Sequence, residues 1–355
     1  MSTYDIDPGV AAAVAGFELP ERLGFGQINA PVMFDAEWRD GAWQRGRLLP
    51  YGPIEVWPGS RALQYAELVF EGLKAYRVGG GEPNLFRPEV NCRRMMRSAE
   101  RLSLPAVPEA LFFQGITAVT HACSDIMPTQ SGRALYLRPF LFGTESGYML
   151  RNSHTFRYMV IANPVEAYAS GAMKIAIERA EVRAAPGGIG EVKAAANYAA
   201  SLRASNAAVV CGRTVALWLD GYEHRYLQEL SGMNIFAVLD GELHTPELDG
   251  AILPGVTRDS LLTLAGSLGY RTHERRMALD EVLQGIGSGR CSELFACGTA
   301  AIVGPIASLA EGDGREYVLR QTDVVAKHLR ESLLAIQERR APDPFGWTRE
   351  LTSFR

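Results

Sequence analysis

Two Asp-Gly pairs, each placed between two short apolar runs, constrain the fold of this chain more than any other feature. They are Asp220-Gly221 within TVALWLDGYEHRYLQE and Asp240-Gly241 within NIFAVLDGELHTP. An Asp-Gly pair in this setting is typical of a β-hairpin, because both residues tolerate the positive φ that tight turns require. The second half of the chain therefore predicts antiparallel or mixed sheets, and not a run of βαβ units.

The first half predicts strands together with one clear helix. The predicted strands are residues 63–78, 82–87, 133–143 and 156–165, and the glycines at 79–81 join the first two. In RPEVNCRRMMRSAERLSLP, apolar residues recur at helical spacing from Pro88 until Pro105 ends the pattern. The arginines of this helix fall on its other face. The first half is therefore predicted to be α+β.

The predicted helices of the second half are residues 197–208, 257–267 and 322–339, the last ended by Ala341 and Pro342. Turn-forming residues at 166–171 are typical of a linker. We therefore expect two α+β domains, a small one at 1–165 and a large one at 172–355, with a ligand site in the cleft between them.

Composition argues against several classes of function. A net charge of −4, with arginines spread along the chain, gives no reason to expect nucleic acid as a partner. No apolar run approaches the roughly 18 residues of a membrane helix, and the N-terminus lacks the pattern of a signal peptide. We therefore expect no membrane association and a cytoplasmic location. Five cysteines without a CxxC spacing and six scattered histidines predict buried free thiols and no metal site.

Lysine is scarce, which limits the candidates for lysine-dependent chemistry. Of the 36 basic residues only four are lysines, namely Lys74, Lys174, Lys193 and Lys327. Lys193 lies between a glycine-rich segment and a run of small residues, so it has room around it, although a solvated loop lysine fits this local context too. Lys74 and Lys327 fit surface roles better. Dinucleotide, P-loop and hydrolase motifs (GxGxxG after a strand, GxxxxGK and GxSxG) do not occur.

A series of motifs in family order resembles the signature of branched-chain aminotransferases, which are pyridoxal-phosphate enzymes of fold type IV. The motifs are YAELVFEGLKAYR, LFRPEVNCRRMMRSAERLSLP, LYLRPFLFGTE, KAAANYAASL, QELSGMNIF, ILPGVTRDSLL and ELFACGTAA. The resemblance extends from about Ala30 to Ser308. It implies the two-domain architecture of D-amino acid aminotransferase, with the active site in the interdomain cleft and most cofactor contacts in the large domain.

The resemblance also implies roles for single residues. Lys193 matches the lysine that forms an imine with the cofactor and moves the proton, and Glu229 matches the acid that faces the pyridine nitrogen. Tyr198 matches the partner of the ring hydroxyl, and Arg94 matches the phosphate arginine, with amides at a helix N-terminus beside it. The implied cofactor contacts are Arg94, Lys193, Tyr198, Glu229, Gly232, Met233, Asn234, Val256, Thr257 and Thr299.

For the substrate, the resemblance implies that the α-carboxylate lies on the turn amides of Thr299 and Ala300. The implied side-chain pocket is formed by Tyr65, Phe70, Tyr136 and Arg138. The expected activity is reversible, ping-pong transfer of an amino group from leucine, isoleucine or valine to 2-oxoglutarate, in amino-acid biosynthesis. A homodimer is implied as well, because in this family the neighbouring subunit closes part of the pocket.

Some segments depart from the family pattern, and alternatives follow from them. Ala194, Ala195 and Ala196 replace glycines that relatives commonly carry, SGYMLRNSHTF differs from the usual segment, and no CxxC follows GTAAIVGP. The alternatives within the fold are an aminodeoxychorismate lyase, a D-amino acid transaminase, or a transaminase for a specialised biosynthetic amino acid. A more distant alternative is an inactive paralogue that acts as a binding subunit.

Overall fold

A computed structural model of the protein describes residues 4–166, 171–320 and 323–351. Its contacts divide the chain into two compact units. The first unit consists of the described residues of Met1–Tyr168, Val192–Ala195 and Ala335–Arg355, and the second consists of those of Ala169–Glu191 and Ala196–Leu334. Most of the linker predicted at 166–171 lies outside the described residues.

The first part of the chain contains four helices and nine strands in its described residues. The helices are α1 (Val10–Ala15), α2 (Arg61–Tyr65), α3 (Pro88–Arg101) and α4 (Glu109–Ala122). The strands are β1 (Asp5–Ile6), β2 (Val32–Arg39), β3 (Ala42–Trp43), β4 (Arg47–Pro50), β5 (Leu68–Phe70), β6 (Leu73–Tyr76), β7 (Asn84–Phe86), β8 (Ala134–Gly143) and β9 (Phe156–Val165).

The remaining elements follow in the second part of the chain. The strands are β10 (Met173–Glu178), β11 (Val215–Leu219), β12 (Leu227–Leu230), β13 (Asn234–Leu239), β14 (Glu242–Pro246), β15 (Thr272–Arg275), β16 (Cys291–Gly298), β17 (Ile302–Ala310), β18 (Glu316–Val318) and β19 (Thr348–Glu350). The helices are α5 (Ala195–Val210), α6 (Val256–Ser267), α7 (Leu279–Ser288) and α8 (Val324–Gln337).

The first unit is built on a sheet with the order β1-β4-β2-β9-β8-β6-β7-β19, with β3 on β2 and β5 on β8. Its pairings are antiparallel except for β1 with β4. Helix α4 packs on this sheet, and Phe34, Phe112 and Tyr158 form part of the buried core. A Cβ at Gly115 of α4 would lie 2.8 Å from a methyl of Val160, so glycine lets the helix approach the strands closely.

Two segments from the second half of the sequence complete the first unit. Strand β19 pairs with β7 at the sheet edge, with Thr348 opposite Phe86. Just before it, the carbonyl of Gln337 accepts a hydrogen bond of 2.9 Å from the side chain of Asn84. The segment 192–195 joins through a bridge between Ala194 and Val69. The sequence analysis placed both segments in the large domain. A domain limit drawn at one point along a sequence does not detect a later segment that packs back onto the first unit.

The second unit contains a mixed sheet with the order β12-β11-β10-β17-β16-β13-β14-β15, with β18 on β17. Strand β11 pairs antiparallel with β12, and β13 with β14, as predicted. Asp240-Gly241 forms the predicted tight turn, with φ of +52° and +82°, whereas residues 220–226 form a longer connection in which Gly221 has no positive φ. However, β10 and β11 are parallel and connected through α5, and β14 and β15 are parallel and connected through α6. The sequence did not predict these two βαβ crossovers, because it indicated only hairpins in this half of the chain.

The predicted helices agree with the structure, and several smaller expectations do not. The starts and ends of α5, α6 and α8 lie within two residues of the predicted ones, and α3 begins at Pro88. The predicted strand at 63–78 is wrong at its start, where residues 63–65 belong to the five-residue helix α2. A helix this short has too few turns to show a periodicity. No helix in the described ranges is long and apolar enough to span a membrane.

Candidate active site

The backbone of Lys193 is held between strand β5 and helix α3. The amide of Phe70 donates to the carbonyl of Lys193 at 3.0 Å, and the amide of Lys193 donates to Oγ of Ser98 at 3.0 Å. The half-buried side chain places Nζ 4.9 Å from the centroid of the Phe70 ring. The lysine is therefore fixed at its backbone and shielded from solvent on one side by an aromatic ring.

A buried ion pair lies beside this lysine, between Glu71 and Arg94 of α3. Arg94 donates from Nε and from a terminal nitrogen to the two oxygens of Glu71, at 2.7 and 2.8 Å. Asn91 donates to the same carboxylate at 2.8 Å. Burial opposes ionisation of Glu71, but the charge and hydrogen bonds of Arg94 and the charge of Lys193 outweigh it, and the pKa of the carboxyl is lowered.

Three of the four predicted pocket residues contact one another near Lys193. The guanidinium of Arg138 lies 4.6 Å from the centroid of the Phe70 ring and donates to the hydroxyl of Tyr136 at 3.1 Å. Its buried Nε has no hydrogen-bond partner among the described residues. A Cβ at Gly72 would lie 2.0 Å from the Tyr136 hydroxyl, so only glycine leaves room for that ring.

The fourth predicted pocket residue, Tyr65, has its contacts elsewhere in the first unit. It lies in α2, is partly exposed, and donates from its hydroxyl to the carbonyl of Tyr148 at 2.8 Å. The prediction that the arginines of α3 lie on its polar face is confirmed for Arg93, Arg97 and Arg101, which are exposed, whereas Arg94 is buried. Lys74 is only 4% exposed, so the surface role predicted for it is wrong.

In the second unit, Glu229 is a buried carboxylate with two donors. Arg183 lies 2.8 Å from one of its oxygens, and Asn234 donates to the other at 2.9 Å. Arg183 also donates to the carbonyl of Ala251, while its buried Nε has no hydrogen-bond partner among the described residues. Arg183 and Asn234 orient the carboxylate of Glu229 from two sides.

The N-terminus of α6 is adjacent to Asn234. Gly255 is the N-cap, and no side chain caps the helix there, so the first amides, which include those of Val256 and Thr257, are suited to an anion. A Cβ at Gly255 would lie 2.1 Å from Oδ1 of Asn234. Asn234 therefore contacts both the carboxylate of Glu229 and the start of this helix.

The remaining predicted residues lie in turns and at one helix start. Gly232 has φ +81° in the turn between β12 and β13, where the amide of Met233 donates to the carbonyl of Leu230 at 3.2 Å. Thr299 and Ala300 form the turn between β16 and β17. Tyr198 lies in the first part of α5.

Each unit carries groups that suit part of an aromatic cofactor with an aldehyde and a phosphate. The first unit has an amine on a fixed backbone and a buried arginine. The second unit has a carboxylate oriented by Asn234 and a helix N-terminus without a side-chain cap. Sequence reasoning missed Glu71 and Arg183. A charged residue inside the apolar run of FEGLKAYR was a signal for Glu71, whereas Arg183 had none.

One expectation about the cysteines is wrong, and one contact beside the turn of Thr299 was not predicted. All five cysteines are free, but Cys211 is exposed and not buried as predicted. Arg330 of α8 donates to the carbonyls of Ala301 and Val303, at 2.7 and 2.9 Å, and so holds the end of the turn that contains Thr299. No sequence pattern indicates this contact.

Comparison with known proteins identifies relatives over nearly the whole chain. The model of the class IV amino-transferase family matches residues 68–309. A branched-chain-amino-acid aminotransferase of Mycobacterium tuberculosis is 41% identical over 338 residues, which is 92% of each chain. A probable branched-chain-amino-acid aminotransferase of Staphylococcus aureus is 40% identical over 333 residues, again 92% of each chain.

Solved structures with the same fold cover a similar share of the chain. A branched-chain aminotransferase of Thermoproteus uzoniensis, solved with norvaline, has a TM-score of 0.74 and 26% identity, covering 89% of this chain and 99% of that one. The T.th. branched-chain amino acid aminotransferase with pyridoxamine 5'-phosphate has a TM-score of 0.73, 29% identity and coverages of 89% and 98%. Its complex with N-(5'-phosphopyridoxyl)-L-glutamate has a TM-score of 0.71, 28% identity and the same coverages.

Proposed function

Because this chain belongs to the class IV aminotransferases, and within them to the branched-chain aminotransferases, we propose that it moves the amino group of leucine, isoleucine or valine to 2-oxoglutarate. The observation that carries this proposal is the placement of Lys193, whose amine lies beside Phe70 and the buried Glu71–Arg94 pair. Pyridoxal phosphate, when bound, supplies an aldehyde that stores the amino group and a ring that withdraws electrons from the substrate Cα.

The residues of this chain perform the remaining tasks. Lys193 provides the amine that holds the cofactor and then moves the proton at the substrate Cα. Arg94 and the first amides of α6 are the groups that would bind the phosphate, and Glu229 would accept the N–H of the cofactor ring. Tyr198 would donate to the ring hydroxyl. All of these roles rest on the family resemblance together with the burial and contacts described above.

Two kinds of substrate require two kinds of contact from one pocket. The rings of Phe70 and Tyr136 offer apolar surface to a branched aliphatic side chain. The guanidinium of Arg138, held over Phe70 and bonded to Tyr136, offers a charge to the second carboxylate of 2-oxoglutarate. The phosphopyridoxyl-L-glutamate complex of the T.th. enzyme supports a dicarboxylate as one of the substrates. The α-carboxylate of either substrate lies on the amides of Thr299 and Ala300.

Single-turnover absorbance tests the reaction and its substrate class. Mixing the cofactor-loaded protein with L-leucine, L-isoleucine or L-valine, without an oxo acid, should convert the absorption of the lysine-bound cofactor into that of the amine form. Adding 2-oxoglutarate should restore the first spectrum. A response to D-alanine alone, or pyruvate release from aminodeoxychorismate, would instead favour the alternatives within the fold. A protein that takes up no cofactor would favour the inactive paralogue.

The homodimer is part of the same proposal and is supported by an exposed apolar patch on the first unit. We define this patch as Trp57, Leu63, Tyr148, Met149 and Leu150, which are exposed by 64 to 92%. Arg61 and Tyr65 of α2 bond the carbonyls of Met149 and Tyr148, which fixes the two parts of the patch to each other. A contiguous apolar surface of this kind is typical of a subunit interface.

A further inference from the structure

We propose that Glu71 is a positioning residue of the site, which holds the guanidinium of Arg94 in one orientation and supplies the counter-charge to the amine of Lys193. This inference rests on the proposed function, because it assigns Arg94 to the cofactor phosphate and Lys193 to the cofactor aldehyde. Glu71 itself would touch neither substrate nor cofactor. It would act through Arg94 and Lys193, which would touch the cofactor.

The contacts of Glu71 leave its carboxylate little freedom. One oxygen accepts from Nε of Arg94 at 2.7 Å, and the other accepts from Arg94 at 2.8 Å, from Asn91 at 2.8 Å and from the amide of Gly72 at 3.1 Å. A side-on, two-point bond fixes the plane of a guanidinium, which a single bond or a distant charge does not. The orientation of Arg94 is therefore set before any phosphate arrives.

The same carboxylate acts on Lys193 through its charge. Glu71 directly follows Phe70, whose amide bonds the carbonyl of Lys193 at 3.0 Å and whose ring faces Nζ at 4.9 Å. Glu71 is fully buried, so solvent screens its charge weakly. When the cofactor is bound, a negative charge at this position would stabilise a positive charge on the nitrogen that holds it.

The first test is an absorbance titration of the cofactor-loaded protein with Glu71→Gln, which keeps the shape and removes the charge. The midpoint at which the lysine-bound cofactor loses its proton should fall by about one pH unit or more relative to wild type. The dissociation constant of pyridoxal phosphate should rise about tenfold or more, because a neutral amide holds Arg94 less firmly. An unchanged midpoint in this variant would overturn the proposal.

Glu67→Gln is the matched control. Glu67 is also a buried carboxylate of the first unit, but its side-chain hydrogen bonds go to Asn152 and Ser153, which carry no charge, and the one charge noted near it is that of the surface residue Arg151. This control should leave the titration midpoint within about 0.3 pH units of wild type. An equal fall in both variants would mean that a loss of packing, and not the charge at Glu71, moves the midpoint.

Glu71→Asp separates the two effects and covers the case in which Glu71→Gln does not fold. Aspartate keeps the charge but is one methylene shorter, so the two-point bond to Arg94 is lost. The cofactor dissociation constant should rise about tenfold, while the titration midpoint changes little. Unchanged affinity would overturn the role toward Arg94. Failure of the proposed function itself would appear differently, as wild-type protein that never develops the absorption of a lysine-bound cofactor.

Discussion

Lys193 is the residue relative to which the other roles in the site were assigned. The sequence already limited the choice, since the chain has only four lysines, and its motif named Lys193 directly. The structure adds what the motif does not contain: the backbone bonds to Phe70 and Ser98, and the ring that faces its amine. Removing the side chain therefore tests the chemistry without removing those backbone bonds.

We expect Lys193→Ala to bind pyridoxal phosphate weakly and without a covalent bond, and to lack the absorption of the lysine-bound cofactor. Transamination should fall by at least about 10² to 10⁴, because the proton-transfer group is lost. Lys327→Ala, at a side chain 72% exposed, is the control and should match wild type. Borohydride reduction and peptide mapping of wild type should locate the cofactor on Lys193. Its location on Lys74, Lys174 or Lys327 would contradict the assignment.

The motifs named candidate residues for the site, but they did not identify partners that lie far along the chain. Arg94 and Glu229 were named from motifs, and both are buried in ion pairs. Their partners Glu71 and Arg183 were not identified, because a pairing between distant residues depends on how the elements pack. Exposure was misjudged for Lys74 and Cys211 for the same reason.

At the scale of elements, the connection between β11 and β12 depends on Asp220. Its two oxygens accept from the backbone amides of residues 222, 223, 225 and 226, at 2.8 to 3.2 Å. Burial raises the pKa of Asp220, but these hydrogen bonds outweigh it and lower the pKa to about 2. The hairpin that carries Glu229 is therefore closed by one ionised side chain.

Asp220→Asn should lower the free energy of unfolding by about 1 to 2 kcal/mol at pH 7. Because the pKa of Asp220 is depressed in the folded state, its contribution is present above its usual value of 3.8 and is lost as the pH falls toward about 2. The difference between variant and wild type should therefore shrink below about pH 4. Urea unfolding at pH 7 and pH 3 measures this, with the exposed Asp125→Asn as control. A difference that does not change with pH would contradict the explanation.

Helices were easier to predict than the connections they make. The periodicity of α3, α5, α6 and α8 lies within each helix, so sequence alone located them. Whether a helix joins parallel strands depends on partners outside it, and the crossovers through α5 and α6 were missed for that reason. The hairpin at Asp240-Gly241 was found because its turn residues are adjacent in sequence, whereas the connection from β11 to β12 is longer than a tight turn.

At the scale of the whole molecule, the fold class was predicted by the family resemblance and is confirmed by the solved relatives. Composition alone allowed many two-domain enzymes. The limits of the units were harder to predict, since residues 192–195 and 335–351 belong to the first unit although they lie in the second half of the sequence. Sequence patterns report on residues that are neighbours along the chain, whereas contacts between residues far apart in sequence decide which unit these segments join.

Leu150→Glu should weaken the proposed homodimer, because it places a charge in the apolar patch at a side chain that is 92% exposed. Light scattering at micromolar concentration should give a dimer for wild type and a larger share of monomer for the variant. Val210→Glu, at an 87% exposed side chain of the second unit, is the matched control and should remain dimeric. A wild-type monomer with full activity would contradict the proposal.

The division of the first unit into three chain segments has a consequence for translation. A ribosome that has made residues 4–166 has made Phe70, Glu71 and Arg94, but neither Lys193 nor β19. Until β19 emerges, the edge of β7 has no strand to cover it. Lys193 and Glu71 meet only after synthesis has passed residue 193, so a half-made chain contains the buried pair of Glu71 and Arg94 before it contains the lysine.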